Sequence, residues 1–372
     1  MINWNSPKFG TKELELVKQV LDTGYVSEGP MTKELEERLT KIVNAKHIIM
    51  TTSATAALYL AIEADKRIRN YIEGEVIIPN LTFIATKNAV EQVGLDILVS
   101  DVDKERFVMN MPNGLEFTNR VIIYVNLLGR KYNYHEFSSL EEWNITTQIC
   151  DNAGCLGSNV PNGKVGCYSL QANKLLTCGQ GGFCATDDDE YAKVIRQLKD
   201  FGREDKYDQH TKGFNFKFND IQAVVALGQL EQLSDRKIIH INQYTTYKMQ
   251  LSDYGKFIDY NLPDEIPLWV EFITDKRDEL FDYLKEKGIE SRKPWKPLVD
   301  DPELYPNTDY YCKNCLWLPN GSSLTTEQQG YVIQEIKNFY TSLPVKSSDE
   351  SQKSKVISGS ASRCLVGDGG YL

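Results

Sequence analysis

The sequence predicts an α/β layered fold with a mainly parallel sheet, and three observations carry that expectation. Apolar runs of four or five residues recur without polar alternation, as in Val76-Ile77-Ile78-Pro79 and Val121-Ile122-Ile123-Tyr124-Val125. Strands covered on both faces read this way. Stretches with helical spacing of apolar residues separate those runs, which is what parallel crossovers need. The chain has 372 residues, 41% apolar and 25% charged, enough for one large core and a smaller lobe.

Taken in order, Thr11 to Leu21 reads as a helix with Leu14, Val17 and Leu21 on one face and Thr11 as its N-cap. Thr32 to Val43 repeats the pattern through Leu35, Leu39 and Ile42. The strand His47 to Met50 breaks into Thr51-Thr52-Ser53-Ala54-Thr55 and a helical Ala56 to Ala61. Glu75 to Pro79 is a strand and Thr82 to Val90 a helix, followed by strands at Ile97 to Ser100, Val121 to Val125 and Thr147 to Cys150. An apolar strand from Val165 and the strand Phe183 to Thr186 enclose a Gly-rich turn. Three helices follow, Asp187 to Phe201, Asn219 to Leu233 and Lys237 to Leu251. Past Pro263 come the strand Pro267 to Phe272 and the helices Lys276 to Lys287 and Thr325 to Tyr340. These boundaries divide the chain into a large domain (1–250, with an N-terminal helical arm), a small C-terminal α+β domain (251–341) and a Ser-rich tail (342–372) with little to bury.

Lys and Arg number 42 against 52 Asp and Glu, a net charge of −10. That balance argues against nucleic acid as a partner, since phosphate neutralisation needs a cationic face. It leaves room for a phosphorylated small molecule held by backbone N–H groups. No apolar run is long enough to span a membrane, and Met1 to Pro7 does not read as a signal peptide. The eight cysteines sit mostly in apolar stretches, so a reduced, cytoplasmic chain is expected. Cys312-Lys313-Asn314-Cys315 lacks a second pair, and the four histidines are scattered; no metal is expected.

In parallel sheets ligands bind beyond the carboxyl ends of strands, so the residues there are the candidates. Ser53-Ala54-Thr55 opens a helix with hydroxyls and free N–H groups, suiting a phosphate or serving only as an N-cap. Phe83 stands at a strand-to-helix corner, either as core or as a stacking ring. Asp151 ends a buried strand, where a carboxylate is costly unless it meets a cation or caps a helix. Lys174 lies between an apolar strand and the Gly-rich turn Gly179-Gln180-Gly181-Gly182. An amine held there loses proton affinity and becomes a nucleophile. Lysine and a strand-end aspartate 23 positions apart form the pair that pyridoxal phosphate needs, amine for its aldehyde and carboxylate for its ring nitrogen. No GxGxxG follows an early strand, which weighs against a dinucleotide site.

Several stretches add a family signal in order along the chain. They are Gly24-Tyr25-Val26-Ser27-Glu28-Gly29-Pro30, Thr52-Ser53-Ala54-Thr55-Ala56-Ala57-Leu58, Pro79 to Thr86, Asp101-Val102-Asp103, Tyr168 to Gly182, Gly213 to Phe218 with Gln222-Ala223, and Leu318-Pro319. Through them the chain resembles the sugar-nucleotide aminotransferases of the DegT/DnrJ/EryC1/StrS family. The resemblance implies an aspartate aminotransferase-like (fold type I) three-layer α/β/α large domain with a small C-terminal α+β domain. It implies pyridoxal 5'-phosphate as cofactor, with Lys174 as the amine that binds it and moves protons, and Asp151 at the ring nitrogen. It also implies Phe83 as the stacking ring, and Ser53, Ala54, Thr55 and Ser169 around the phosphate. Asn215 would reach the same phosphate from a second subunit of a homodimer, and Ser27 and Gly29 would lie near the nucleotide-sugar.

Departures from the family pattern are Ala54 for the usual Gly, Gly154 for Gln or His, Asn126 for His, and Lys217 for Arg. The retained Lys174 disfavours the dehydratase branch, and Asn173 before it resembles 4-aminotransferases of the perosamine and viosamine type. The resemblance thus implies amino transfer from L-glutamate to a nucleotide-diphosphate-linked 4-keto-6-deoxyhexose for surface-glycan or O-antigen synthesis. Its rivals are 3-keto or keto-amino sugars on the same scaffold, or a catalytically silent cofactor-binding scaffold.

Overall fold

In the computed structural model, which describes residues 1–111, 121–132, 146–205, 207 and 212–344, seven strands form one sheet in the order β1-β7-β6-β5-β4-β2-β3. They are β1 (His47–Thr51), β2 (Glu75–Pro79), β3 (Asp96–Ser100), β4 (Val121–Val125), β5 (Thr147–Asp151), β6 (Val165–Ser169) and β7 (Gly182–Thr186). Strand β7 runs antiparallel to β1 and β6, and the other pairings are parallel. The mainly parallel sheet read from the unbroken apolar runs is present.

Successive side chains leave a strand on opposite faces, and each face has its own core. Ile49, Ile78, Ile123, Ile149, Cys167 and Cys184 meet the helices α3 (Ala54–Ile68), α4 (Ile84–Val93) and α5 (Asp189–Lys199). On the other side Ile48, Met50, Tyr168, Phe183 and Ala185 share a core with α1 (Thr11–Thr23), α2 (Pro30–Val43) and α6 (Asp220–Leu230). Ile77, Ile122, Tyr124 and Cys150 are covered by Val108, Met109 and Tyr132. With both faces covered, a ligand can approach only the strand ends.

The C-terminal sheet has three antiparallel strands, β8 (Lys256–Phe257), β9 (Val270–Ile273) and β10 (Cys315–Leu318), in the order β10-β9-β8. Its core takes Tyr247 and Leu251 from α7 (Leu233–Leu251), Leu280 and Leu284 from α8 (Arg277–Glu286), and Val332 and Ile336 from α10 (Thr326–Ser342). A helix α9 (Pro306–Asn314) leads into β10. The chain start joins this lobe: Ile2 donates to the Gly288 carbonyl at 2.8 Å and accepts from the Glu290 N–H at 2.9 Å.

Polar side chains tie the two lobes. Arg130, buried after β4, pairs with Glu271 of β9, which also accepts from the Tyr260 and Tyr311 hydroxyls. Asp101 accepts from the N–H groups of Asn307 and Thr308, each at 3.0 Å, and so caps α9. Asn80, beyond β2, holds Val299 by both its N–H and its carbonyl, at 2.8 and 3.0 Å.

The first helix corrects the sequence reading. Its N-cap is Gly10, whose N–H meets the Glu13 carboxylate at 2.9 Å, and Thr11 is the first helical residue. It buries Glu13 and Val20 and leaves Leu14 and Leu21 exposed, because the Glu13 carboxylate is taken up by Gln229 of α6. The C-terminal strand starts at Val270 rather than Pro267, and α4 starts at Ile84 rather than Thr82. Strand β8, helix α9 and strand β10 are additions to the elements expected from the sequence. Two residues of β8 carry no period, and α9 begins at a proline, but the run Cys315-Leu316-Trp317-Leu318 had the mark of a buried strand. The Ser-rich segment from 345, with Cys364, and the histidines His135 and His210 lie outside the described residues.

Removing one member of a buried ion pair leaves the other uncompensated. Glu271→Gln is expected to lower unfolding stability by about 3–5 kcal/mol, read from the urea midpoint. A loss near the value for a surface pair, below about 1 kcal/mol, contradicts the role given to this pair.

Candidate active site

The carboxyl ends of β2, β4, β5 and β6 open into one cavity of about 280 Å³. Its walls include Ser53, Ala54, Thr55, Phe83, Asp151, Ser169 and Lys174. The structure therefore brings together seven of the ten residues singled out from the sequence.

Asp151 is the last residue of β5 and is buried. Its carboxylate accepts from the Thr86 hydroxyl at 2.7 Å and from the Ala153 N–H at 3.1 Å. The Thr86 and Thr82 hydroxyls are 2.8 Å apart. Thr86 spends its one hydrogen on Asp151, so Thr82 donates to Thr86 and the chain of donors ends on the carboxylate. Burial raises the proton affinity of Asp151 above the usual carboxylate range, and Thr86, Ala153 and the Lys174 charge offset this only in part.

Lys174 sits in the loop that returns β6 to β7. Its own N–H donates to the Gln171 carbonyl at 2.9 Å, and the Leu170 N–H donates to the Gly181 carbonyl at 2.9 Å, closing the loop. The Thr177 hydroxyl donates back to the Leu170 carbonyl at 2.9 Å. Burial of the Lys174 amine lowers its pKa below the usual lysine range, with Asp151 opposing.

Across the cavity, Ser53 caps α3 and accepts from the Ala56 N–H at 3.1 Å. The first amides of a helix have no partner within it, so those of Ala54 and Thr55 are available to an anion at the positive end of the helix dipole. Gly182 makes this turn possible: a Cβ there would lie 2.4 Å from the Ala54 nitrogen. The Ser169 hydroxyl accepts from the Gln171 N–H at 3.3 Å.

Two departures from the family pattern have visible neighbours. A Cβ on Gly154 would stand 3.3 Å from Leu268 and 3.4 Å from the Leu128 backbone, so those two leucines fill the space of a longer side chain. Leu128 adopts a left-handed conformation at φ 55°, the kind of strain that collects at sites. Asn126 lines the cavity but its amide is engaged: it donates to Asn152 at 2.6 Å and accepts from the Tyr132 N–H at 2.8 Å.

Three expected residues, Asn215, Ser27 and Gly29, do not line this cavity. Asn215 is exposed and pairs with Asp200 through the backbone. Lys217 meets the same aspartate at 2.9 Å. Ser27 and Gly29 lie in the segment leading into α2, held by Asp220: the Gly29 N–H reaches its carboxylate at 2.9 Å, and its own N–H donates to the Ser27 carbonyl at 3.1 Å. The sequence reading did not find Thr86, Trp269 and Trp295, the first supporting Asp151 and the others lining the cavity. Thr86 was findable as a hydroxyl one helical turn from Thr82; the tryptophans come from the other lobe and carry no local signal.

Asp151 supports the charged form of the Lys174 amine, so taking its charge away lets the amine lose its proton more easily. In Asp151→Asn the pH midpoint for acylation of Lys174, followed by peptide mapping, is expected to move to lower pH. An unchanged midpoint contradicts the coupling.

Solved structures resemble the chain over most of its length. A Streptococcus pneumoniae protein described as a sugar aminotransferase, in its PLP form, is 22% identical, with a TM-score of 0.83 over 91% of this chain and 98% of that one. PseC of Helicobacter pylori, an aminotransferase of pseudoaminic acid biosynthesis, is 19% identical, with a TM-score of 0.83 over 92% of this chain and 100% of its own. DesI, solved in the presence of its TDP-sugar product, is 22% identical, with a TM-score of 0.81 over 92% and 93%. At these identities the likeness establishes the fold. The family model matches residues 7–337, which include every residue of the cavity, and the chain belongs to the DegT/DnrJ/EryC1/StrS aminotransferase family.

Proposed function

We propose that this protein is a pyridoxal phosphate-dependent aminotransferase that moves an amino group from L-glutamate to a nucleotide-diphosphate-linked 4-keto-6-deoxyhexose. The observation that carries the reading is the convergence of a desolvated amine, a buried carboxylate and an open helix N-terminus on one cavity. Family membership supports the reaction class. The S. pneumoniae structure in its PLP form and DesI with its TDP-sugar product support the cofactor and the nucleotide-sugar class.

The residues fit pyridoxal phosphate. The N–H groups of Ala54 and Thr55 and the Ser169 hydroxyl would hold its phosphate, Phe83 would stack on its ring, and Asp151 would hold a proton on the ring nitrogen. When bound, the cofactor supplies an aldehyde carbon and an electron-accepting ring. Lys174, deprotonated more readily than an exposed lysine, is the nucleophile and the base that takes and returns a proton. Thr86 and the Ala153 N–H keep the carboxylate oriented, so the ring proton stays in one place. Gly154 gives no side-chain donor, so the tuning of the ring falls to the remaining wall.

Asn173, directly before the lysine, favours the carbon-4 reading over carbon 3, of the perosamine or viosamine type, with a product suited to surface-glycan or O-antigen synthesis. The exposed Asn215 suits the arrangement in which it completes the phosphate site of a second subunit. Exposed Leu14, Leu21, Tyr25 and Val26 give apolar surface for such a partner.

Purified protein is expected to be yellow, and Lys174→Ala or Lys174→Arg is expected to lose that absorbance and to slow turnover by about 10²–10⁴-fold or more. Glutamate should bleach the wild-type band. Colourless protein that ignores added pyridoxal phosphate refutes the assignment, and a band that glutamate leaves unchanged supports a silent scaffold instead. Product regiochemistry by NMR, from a panel of nucleotide-linked keto-sugars, decides between carbon 4 and carbon 3. Mixing Lys174→Ala with Asn215→Ala protein should restore activity if Asn215 acts across a dimer; no recovery removes that role.

A further inference from the structure

The Lys174 amine makes no hydrogen bond or ion pair among the described residues, although it lies in the cavity it is assigned to serve. A four-carbon side chain with no such contact is free to change rotamer. Its Nζ nevertheless stands 5.4 Å from the centroid of the Trp269 ring. That is within the roughly 6 Å at which a ring face attracts an ammonium, and indole is the strongest of the aromatic faces.

Trp269 is itself held rigidly. It is 3% exposed and packs against Trp317 at 4.5 Å, Trp4 at 4.8 Å and Trp295 at 5.9 Å between centroids. These are four of the five tryptophans in the chain. The two residues before it are tied to separate elements. The Leu268 N–H donates to the Leu128 carbonyl at 3.0 Å and its carbonyl accepts from Asn320 at 2.9 Å, while the Pro267 carbonyl is 3.0 Å from a ring nitrogen of His240. The ring is therefore a fixed wall, and the flexible partner is the lysine.

We propose that Trp269 is a positioning residue for the reactive amine: its indole face holds Lys174 Nζ over the carboxyl end of the sheet and favours the ammonium form. The proposal rests on Lys174 being the amine that combines with pyridoxal phosphate. Few other groups compete for the amine. Asp151 faces it from β5 and also supports the ammonium form. The Cys155 thiol, buried beside it, is held protonated and donates to the Asn126 carbonyl at 2.7 Å. Arg236 is turned to the Leu175 carbonyl at 3.2 Å, and burial keeps His240 neutral, its pKa lowered to about 4. The Arg292 guanidinium is taken up by a different ring of the cluster, 4.8 Å from the Trp4 centroid.

The test uses full-length protein freed of cofactor and follows, by absorbance against pH, the rate at which it combines with pyridoxal phosphate. In Trp269→Leu the midpoint is expected to fall by about half a pH unit or more, and the limiting rate above the midpoint by several-fold. Trp269→Phe, which keeps a weaker ring face, is expected to fall in between. Because a leucine in this cluster can unfold the protein, a second measurement keeps the native shape. Replacing tryptophan biosynthetically with increasingly fluorinated analogues weakens the ring's attraction for cations, and the midpoint should fall step by step with fluorine number. Folded variants and fluorinated protein that keep the wild-type midpoint and limiting rate overturn the proposal. Loss of the absorbance response in every protein, wild type included, would instead overturn the assignment of Lys174.

Discussion

The buried carboxylate of Asp151 sets the terms for its surroundings, because an ionised group removed from water must be supplied with donors or a counter-charge. It stands at the end of a strand covered on both faces, so neither sheet layer can hydrate it. The donors come instead from the Thr82–Thr86 hydroxyl chain and the Ala153 N–H, while the Lys174 charge acts on it without a direct bond. Each of these fixes another element. The threonines fix the start of α4, and the lysine requires the tight loop between β6 and β7. That loop in turn requires Gly182 to lie against the turn that opens α3. Thr82, which supports the carboxylate through Thr86, and Ala153 and Lys174 thereby also become walls of the cavity.

The second lobe closes what the sheet leaves open. It shares an apolar core with the large domain, where Leu268, Trp269 and Trp317 join Val125, Leu127 and Leu128, and polar contacts fix its position: Arg130 with Glu271, Asp101 with the start of α9, and Asn80 with Val299. Asn80 matters most for the site, since it pins the segment that carries Trp295, and Trp295 packs against Phe83 at 5.6 Å. An aromatic from one lobe thus buttresses an aromatic from the other at the mouth of the cavity. The tryptophan cluster behind Lys174 is built the same way, from the chain start (Trp4), β9 (Trp269 at its edge), Trp295 and β10 (Trp317).

Much of this was legible in the sequence because it is local. Unbroken apolar runs located the large sheet, and helix periods located most helices to within a few residues. Strand-end chemistry pointed to Ser53, Ala54, Thr55, Phe83, Asp151 and Lys174, the family resemblance added Ser169, and all seven line one cavity. The errors fell where tertiary contacts override local pattern. The helix α1 buries Glu13 and exposes Leu14 because Gln229 and Gly10 satisfy the carboxylate, and no helical wheel contains that information. Short or proline-led pieces such as β8 and α9 have too few residues for a period to emerge.

The sequence by itself determined the layered α/β class, the pairing of an amine with a strand-end carboxylate, and the family signature. Those depend on residue type and spacing along one stretch of chain. Only the tertiary structure decided that Thr86 serves Asp151, that Leu128 and Leu268 fill the space beside Gly154, and that Trp269 faces Lys174. It also decided that Ser27, Gly29 and Asn215 stand outside the cavity of their own chain. Each of these is a contact between residues far apart in sequence, set by which faces the sheet leaves for burial and which charges it must satisfy.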